Sequence, residues 1–120
     1  SKYFKKKKFF LNSLDKKSFF IEKKVRVIKL SDYIKDNVIK KIDFIKIDTE
    51  GYEFNVLLGC KKDLDKVSVI MFEHHYDDML HKNYNFGDVH ELLTNNNFKQ
   101  IYKHKMAFRK TFEYIYEKKN

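Results

Sequence analysis

Acidic side chains cluster around one glycine in a segment that could bind a ligand or transfer a proton. Asp48, Glu50 and Glu53 stand close together in the chain, with Gly51 between them. Carboxylates can accept hydrogen bonds from a ligand, position a nucleophile or take up a proton. Gly51 permits a bend and a close approach of a ligand to the backbone, because it has no Cβ atom. This segment is the first candidate site.

A second polar group follows the most apolar run of the chain, Val67–Phe72, which is continued by Glu73, His74 and His75. Neighbouring parallel strands end at the same edge of a sheet, so we expect Glu73 and His74 to lie near Asp48 and Glu50. Lys46 interrupts the apolar run before Asp48. A buried unpaired charge is costly, and we therefore expect Glu73 or Glu50 to pair with this lysine.

These residues also have simpler interpretations. Asp48 and Glu50 are equally suited to cap a helix and to interact with its dipole. The residues after Phe72 include histidines and aspartates but lack a metal-ligand spacing such as H-E-x-x-H, so we expect them to be solvated and no metal to be bound. They are His74, His75, Asp77, Asp78 and His81.

Cys60 is the single cysteine, so the chain can form neither an internal disulfide framework nor a cysteine-rich metal site. We expect it to fill space after a helix end rather than to act as a nucleophile. A lone cysteine fits a reducing compartment, and we expect a cytoplasmic location.

Segments with strand patterns alternate with segments with helix patterns, which predicts an α/β sheet with helices on its faces. These elements would position the candidate site residues. The last two strands are joined by a short link and should form an antiparallel hairpin whose Phe and Tyr stripe faces the core. The predicted strands are Ser18–Glu22, Val25–Leu30, Ile42–Asp48, Val67–Phe72, Lys99–Lys105 and Thr111–Glu117. The first predicted helix is Ile34–Val38, capped by Ser31 or Asp32. The second is Glu53–Leu58, with Phe54, Leu57 and Leu58 on one face and Gly59 as its stop. The third begins with a capping box over Asp88–Glu91 and buries Val89, Leu92 and Leu93.

The 120 residues carry a net charge of +9 and are 42% hydrophobic, enough for one packed domain over residues 18–120 after a basic lead-in, residues 1–17. Only Arg26 and Arg109 among the 26 basic residues are arginine. Phosphate and base recognition relies heavily on the arginine fork, so the charge favours a solvated lysine surface and no nucleic-acid partner is expected. No apolar run approaches the roughly 20 residues of a membrane span.

The segment from Ile42 to Glu53, with Val56-Leu57-Leu58-Gly59 after it, resembles the signature of FkbM-type methyltransferases. That signature is a strand reading Asp-hydrophobic-Ile-Lys-Ile-Asp-Val-Glu-Gly, followed by a helix. Lys29–Ile34 is similar to the family's Thr-Leu-Asp-Asp segment, with Ser31 in place of an acid. Ile70–His74 resembles its next strand, and the likeness covers residues 25 to 117.

The resemblance implies the C-terminal part of a class I S-adenosylmethionine-dependent methyltransferase sheet, which is Rossmann-like and ends in an antiparallel hairpin. The family transfers a methyl group from S-adenosylmethionine, typically to an oxygen of a sugar or other small acceptor. By the same resemblance, Asp48 and Gly51 would contact the cofactor. Asp48, Glu50, Glu73 and His74 would be the catalytic candidates, with Glu73 and His74 on the acceptor side.

The family's glycine-rich cofactor loop has no counterpart here, because the three glycines, Gly51, Gly59 and Gly87, do not form one. We therefore expect the N-terminal half of the domain as a partner, and no measurable cofactor binding by these residues alone. The alternative is a basic module acting on nucleic acid, in which Asp48, Glu50 and Lys46 hold a divalent metal near phosphates and Lys5–Lys8 contact the backbone.

Overall fold

The computed structural model describes residues 22–120, which form a four-stranded mixed sheet with helices packed on one face. The strand order is β1-β2-β4-β3. The strands are β1 (Ile42–Ile47), β2 (Val67–His75), β3 (Phe98–Lys105) and β4 (Thr111–Lys118), and the helices are α1 (Leu30–Asp36), α2 (Glu53–Gly59), a 3₁₀ helix (Lys61–Lys66) and α3 (Phe86–Asn95).

Strand β2 lies inside the sheet because it has hydrogen-bonded neighbours on both sides. It runs parallel to β1, with Ile45 opposite Ile70, and antiparallel to β4, with Phe72 opposite Tyr114. Its apolar run, Val67–Phe72, is typical of a strand inside a sheet. Strand β1 is an edge strand of the described sheet.

The hydrophobic core lies between one face of the sheet and the helices. Phe72, Tyr114 and Tyr116 are almost completely buried, and the Phe72 ring stacks on both tyrosine rings. The helices contribute further buried side chains, which include Leu57, Leu64, Val89, Leu92 and Leu93. Because side chains alternate between the two faces of a strand, the neighbours of these aromatic residues project from the opposite face, here called the outer face.

The outer face is less buried. Val69, Met71 and Ile115 are half-buried in the middle of the sheet, and Phe44 on β1 is 52% exposed. Polar side chains continue this face beyond the apolar patch, at the end where β1 and β2 both terminate. This is the edge at which the candidate site is expected.

The predicted β1 and β2 strands, the presence of the three predicted helices and the closing hairpin are confirmed. The strand predicted over Val25–Leu30 is wrong: the segment up to Lys29 has no regular structure, with Val27 85% exposed, and Leu30 begins a helix. No described strand pairs with it, and a strand needs a hydrogen-bonding neighbour. Of the strand predicted over Ser18–Glu22, all but Glu22 lies outside the described residues, as does the predicted lead-in.

The start of α2 at Glu53 is confirmed, whereas the predicted starts of α1 and α3 are wrong. No side chain caps α1, and the Ser31 hydroxyl instead donates a hydrogen bond of 2.5 Å to Asp63. The capping box of α3 is formed by Asn85 and Asp88, so Asp88 is the third residue of the helix rather than its cap. Leu58 does not join the buried face of α2, since it is 45% exposed. The 3₁₀ helix was not predicted.

Burial of Cys60 and of the Tyr stripe on β4 is confirmed. Among residues 22–120, no helix has both the length and the hydropathy needed to cross a bilayer.

Candidate active site

The turn between β1 and α2 is built on two consecutive residues with left-handed backbone. Glu50 has φ of 53° and Gly51 has φ of 101°. A Cβ atom at Gly51 would lie 3.2 Å from the carbonyl oxygen of His81 and 3.4 Å from Leu80. Gly51 is therefore required by its backbone conformation and by the loop that packs on it. That loop occupies the side on which a ligand had been expected to approach the backbone.

Glu53 holds this turn in place from the first residue of α2. Its carboxylate accepts hydrogen bonds from the backbone N–H groups of Thr49 and Gly51 at 3.2 and 3.1 Å and from the Thr49 hydroxyl at 3.1 Å. The Tyr84 hydroxyl donates to its other oxygen. Burial alone would raise the pKa of Glu53, but the hydrogen bonds from Tyr84 and the turn outweigh it and lower this pKa.

The alternative in which Asp48 or Glu50 caps α2 is wrong. The N-cap position is Tyr52, and no side chain caps the helix from there. Asp48 and Glu50 are instead exposed at the end of β1, with side chains 47% and 66% accessible. Both carboxylates are therefore free of a capping role and open to a ligand.

Glu73 completes a group of three carboxylates at this edge. It follows Met71 on the outer face of β2, which places it beside Asp48, and only 15% of its side chain is exposed. Burial and the negative charge of Asp48 raise the pKa of Glu73 above its ordinary value. A carboxyl group whose pKa is raised in this way is a better proton acceptor than a solvated one.

Lys46 does not pair with Glu73 or Glu50, so that prediction is wrong. Its side chain is 52% exposed and its Nζ atom lies 3.8 Å from Asp48 Oδ2. The reason is the position of β1 at the edge of the described sheet, where the outer face is open to solvent. An exposed lysine has no desolvation cost to offset, and an exposed pair of this kind contributes little to stability.

His74 projects from the core face of β2, away from Glu73. It is 3% exposed and lies among aromatic rings, with ring-centroid distances of 4.7 Å to Tyr76 and 5.8 Å to Phe86. Its Nδ1 atom is buried without a hydrogen-bond partner. Burial and the charge of Lys82 lower its pKa to about 4. The expectation that His74 is solvated is wrong, and its ring does not join the three carboxylates.

His75 takes the place that had been expected for His74. It is 8% exposed, and its Nε2 atom lies 3.8 Å from Glu50 and 3.9 Å from Glu73. Its Nδ1 atom is hydrogen-bonded to the Thr111 hydroxyl at 2.9 Å. Sequence reasoning missed His75 and Thr111, although the strand period of two places His75, not His74, on the same face as Glu73.

A groove of about 810 Å³ adjoins this edge of the sheet, between the end of β2 and the loop that leads to α3. It offers aromatic, acidic and basic side chains to a small molecule. The residues that line it are His74, His75, Tyr76, Asp77, Asp78, Leu80, His81, Lys82, Tyr84, Asn85 and Phe86.

A known protein family matches most of the chain. The model of the methyltransferase FkbM domain matches residues 2–100. The chain belongs to the FkbM methyltransferase family. The resemblance of its Ile42–Glu53 segment to that family is thereby confirmed, and the match includes both carboxylate-bearing strand ends. No curated protein matches the chain.

The match to the FkbM domain ends at residue 100, so β4 and most of β3 lie beyond it. Thr111, which orients His75, is thus contributed by a segment outside the family match. The metal-dependent nuclease alternative gains no support, since residues 22–120 bring together no set of three acidic, histidine or cysteine side chains arranged to hold a metal ion.

Proposed function

We propose that this protein is an S-adenosylmethionine-dependent O-methyltransferase acting on a hydroxyl of a sugar or other small acceptor. The observation that carries the proposal is the family match over residues 2–100. The carboxylates of Asp48, Glu50 and Glu73 at one sheet edge support it, since acidic groups complement the positive charges of the cofactor. When bound, that cofactor supplies an electrophilic methyl group on a cationic sulfur.

The residues at this edge have different proposed roles, according to where they lie. Asp48, exposed at the end of β1, is the proposed cofactor contact, and Gly51 acts through the shape of the turn it permits. Glu50 and Glu73 face the acceptor side. His74 shapes the wall of the groove from the core face. Positioning of the two reactants accounts for much of the rate in such a reaction.

The fold proposed for the complete domain is the class I, Rossmann-like sheet. The described sheet is compatible with it, because β1 has an open edge and the outer face carries half-buried apolar side chains. The glycine-rich cofactor loop would be supplied by the N-terminal half of the same domain. Titration calorimetry of residues 1–120 alone should accordingly show no measurable S-adenosylmethionine binding.

Methyl transfer by the full-length protein tests the proposal. The assay would supply radiolabelled S-adenosylmethionine and a panel of hydroxylated acceptors, and would follow label in the product. Asp48→Asn should raise the KM for the cofactor, whereas Asp43→Asn, an exposed acid on β1, is the matched control and should leave it unchanged. Absence of cofactor binding by the full-length protein would refute the proposal.

A further inference from the structure

A hydrogen bond to Nδ1 positions the His75 ring at the carboxylate edge. His75 is the last residue of β2, opposite Thr111 on β4. The Thr111 side chain is itself buried, with 1% exposure, and its hydroxyl contacts His75 Nδ1 at 2.9 Å. This contact fixes the ring so that Nε2 faces Glu50 and Glu73.

The distances around Nε2 leave room for one more oxygen atom. Separations of 3.8 Å to Glu50 and 3.9 Å to Glu73 exceed a hydrogen bond, yet a single oxygen can lie about 2.8 Å from both Nε2 and a carboxylate oxygen. A cavity of about 120 Å³ adjoins His75 and Glu50. Since a water occupies about 30 Å³ of liquid volume, the cavity accommodates a hydroxyl together with the carbon that bears it. Its lining comprises Glu50, His75, Asp77, Met79, Leu80, Arg109 and Thr111.

We propose that His75 is the general base of the methyl transfer and that this niche receives the acceptor hydroxyl. The inference rests on the proposed function. The hydroxyl oxygen forms a bond to the methyl carbon as the carbon–sulfur bond breaks, and that electron pair stays on sulfur, which becomes a neutral thioether. The hydroxyl proton passes to His75 Nε2 and then to solvent. Glu50 and Glu73 stabilise the imidazolium, and Thr111 is a positioning residue.

The charged and titratable groups facing His75 come from every neighbouring element. Glu50 belongs to the turn after β1, Glu73 to β2, Asp77 to the loop after β2, and Arg109 to the β3–β4 connection. His74, adjacent in sequence, projects to the other face. A general base must be unprotonated before the reaction. The rate should therefore fall at low pH.

The test compares His75→Gln, Thr111→Val and the control His104→Gln, an exposed histidine on β3, in the full-length protein. General-base removal costs about 10²- to 10⁴-fold in rate, so His75→Gln should lose kcat on that scale with little change in KM, and should lose the acidic limb of the pH–rate profile. Thr111→Val should lower kcat less and keep that limb. His104→Gln should match the wild type.

A second measurement does not depend on turnover or on a variant of His75. In NMR spectra of the full-length protein, methyl α-glucoside used as a hydroxyl probe should shift the His75 ring signals. If the wild type transfers methyl groups but folded His75→Gln keeps both its rate and its pH profile, the inference is overturned. If the wild type transfers none, the proposed function fails instead, and the NMR signals alone decide whether the niche binds a hydroxyl.

Discussion

The buried His74 should make the stability of this protein depend on pH in a specific window. Burial and the charge of Lys82 lower its pKa from 6.5 to about 4, against the opposing charge of Glu53. Between these two values the unfolded chain binds a proton that the folded chain does not. Stability is therefore highest above pH 6.5 and is lost as pH falls toward 4.

The magnitude follows from the two pKa values. A group that titrates at 6.5 when unfolded and at about 4 when folded changes the free energy of unfolding by about 3 kcal/mol over the whole window, and by about 2 kcal/mol between pH 7.5 and pH 5. His74→Leu removes this contribution. Its packing cost is independent of pH, so the variant should lose about 2 kcal/mol less than the wild type over that interval.

Urea unfolding at pH 7.5, 6.5, 5.5 and 5, followed by far-ultraviolet circular dichroism because the chain has no tryptophan, measures both curves. His104→Gln provides the matched control, since His104 is exposed on β3. Taking the difference between variant and wild type at each pH cancels the titration of Glu53, Asp63 and Glu73. Parallel curves for His74→Leu and the wild type would refute the reasoning.

Two further predictions concern the backbone at Gly51 and the accessibility of the Cys60 thiol. Gly51→Ala should lower the free energy of unfolding measured in urea by about 1–3 kcal/mol, because φ is 101° and the new Cβ would lie 3.2 Å from a carbonyl oxygen. Gly59→Ala is the control, since the nearest atom to its new Cβ is 3.9 Å away. Equal effects of the two substitutions would contradict this explanation. Cys60 is fully buried, and burial together with the charge of Asp63 raises its pKa to about 11. Iodoacetamide at pH 8 should modify it in urea but not in the native protein; rapid native labelling would show that the thiol is accessible.

Much of the sheet could be predicted because its strands carry local signals. Ile42–Ile47 and Val67–Phe72 are largely apolar runs of strand length, and Thr111–Lys118 has aromatic residues at alternate positions. Val25–Lys29 carries the same β-branched signal and yet has no strand, because pairing depends on a neighbour that no local pattern reveals. The missed 3₁₀ helix has no apolar period to reveal it.

At the candidate site, the carboxylates could be predicted from the sequence, but His74 was wrongly expected on the same face of the sheet as Glu73. Side chains alternate between the two faces of a strand, so Glu73 and His75 share one face of β2 and His74 lies on the other. This alternation could have been applied to the sequence alone. The role of Thr111 could not have been predicted, because it depends on the antiparallel register that sets it opposite His75. One of the four hydrogen bonds to Glu53 likewise comes from Tyr84, which is distant in sequence.

The position of β4 inside the sheet constrains when this domain can assemble. This strand follows every other described element in sequence, yet it lies between β2 and β3 and is their only link in the described sheet. During synthesis, β2 can pair with β1 early, but one of its edges stays open until residues 111–118 have emerged. A chain stopped before Thr111 would expose that edge to aggregation and would lack the threonine that orients His75. Completion of the sheet and completion of the proposed catalytic site would thus be the same late event.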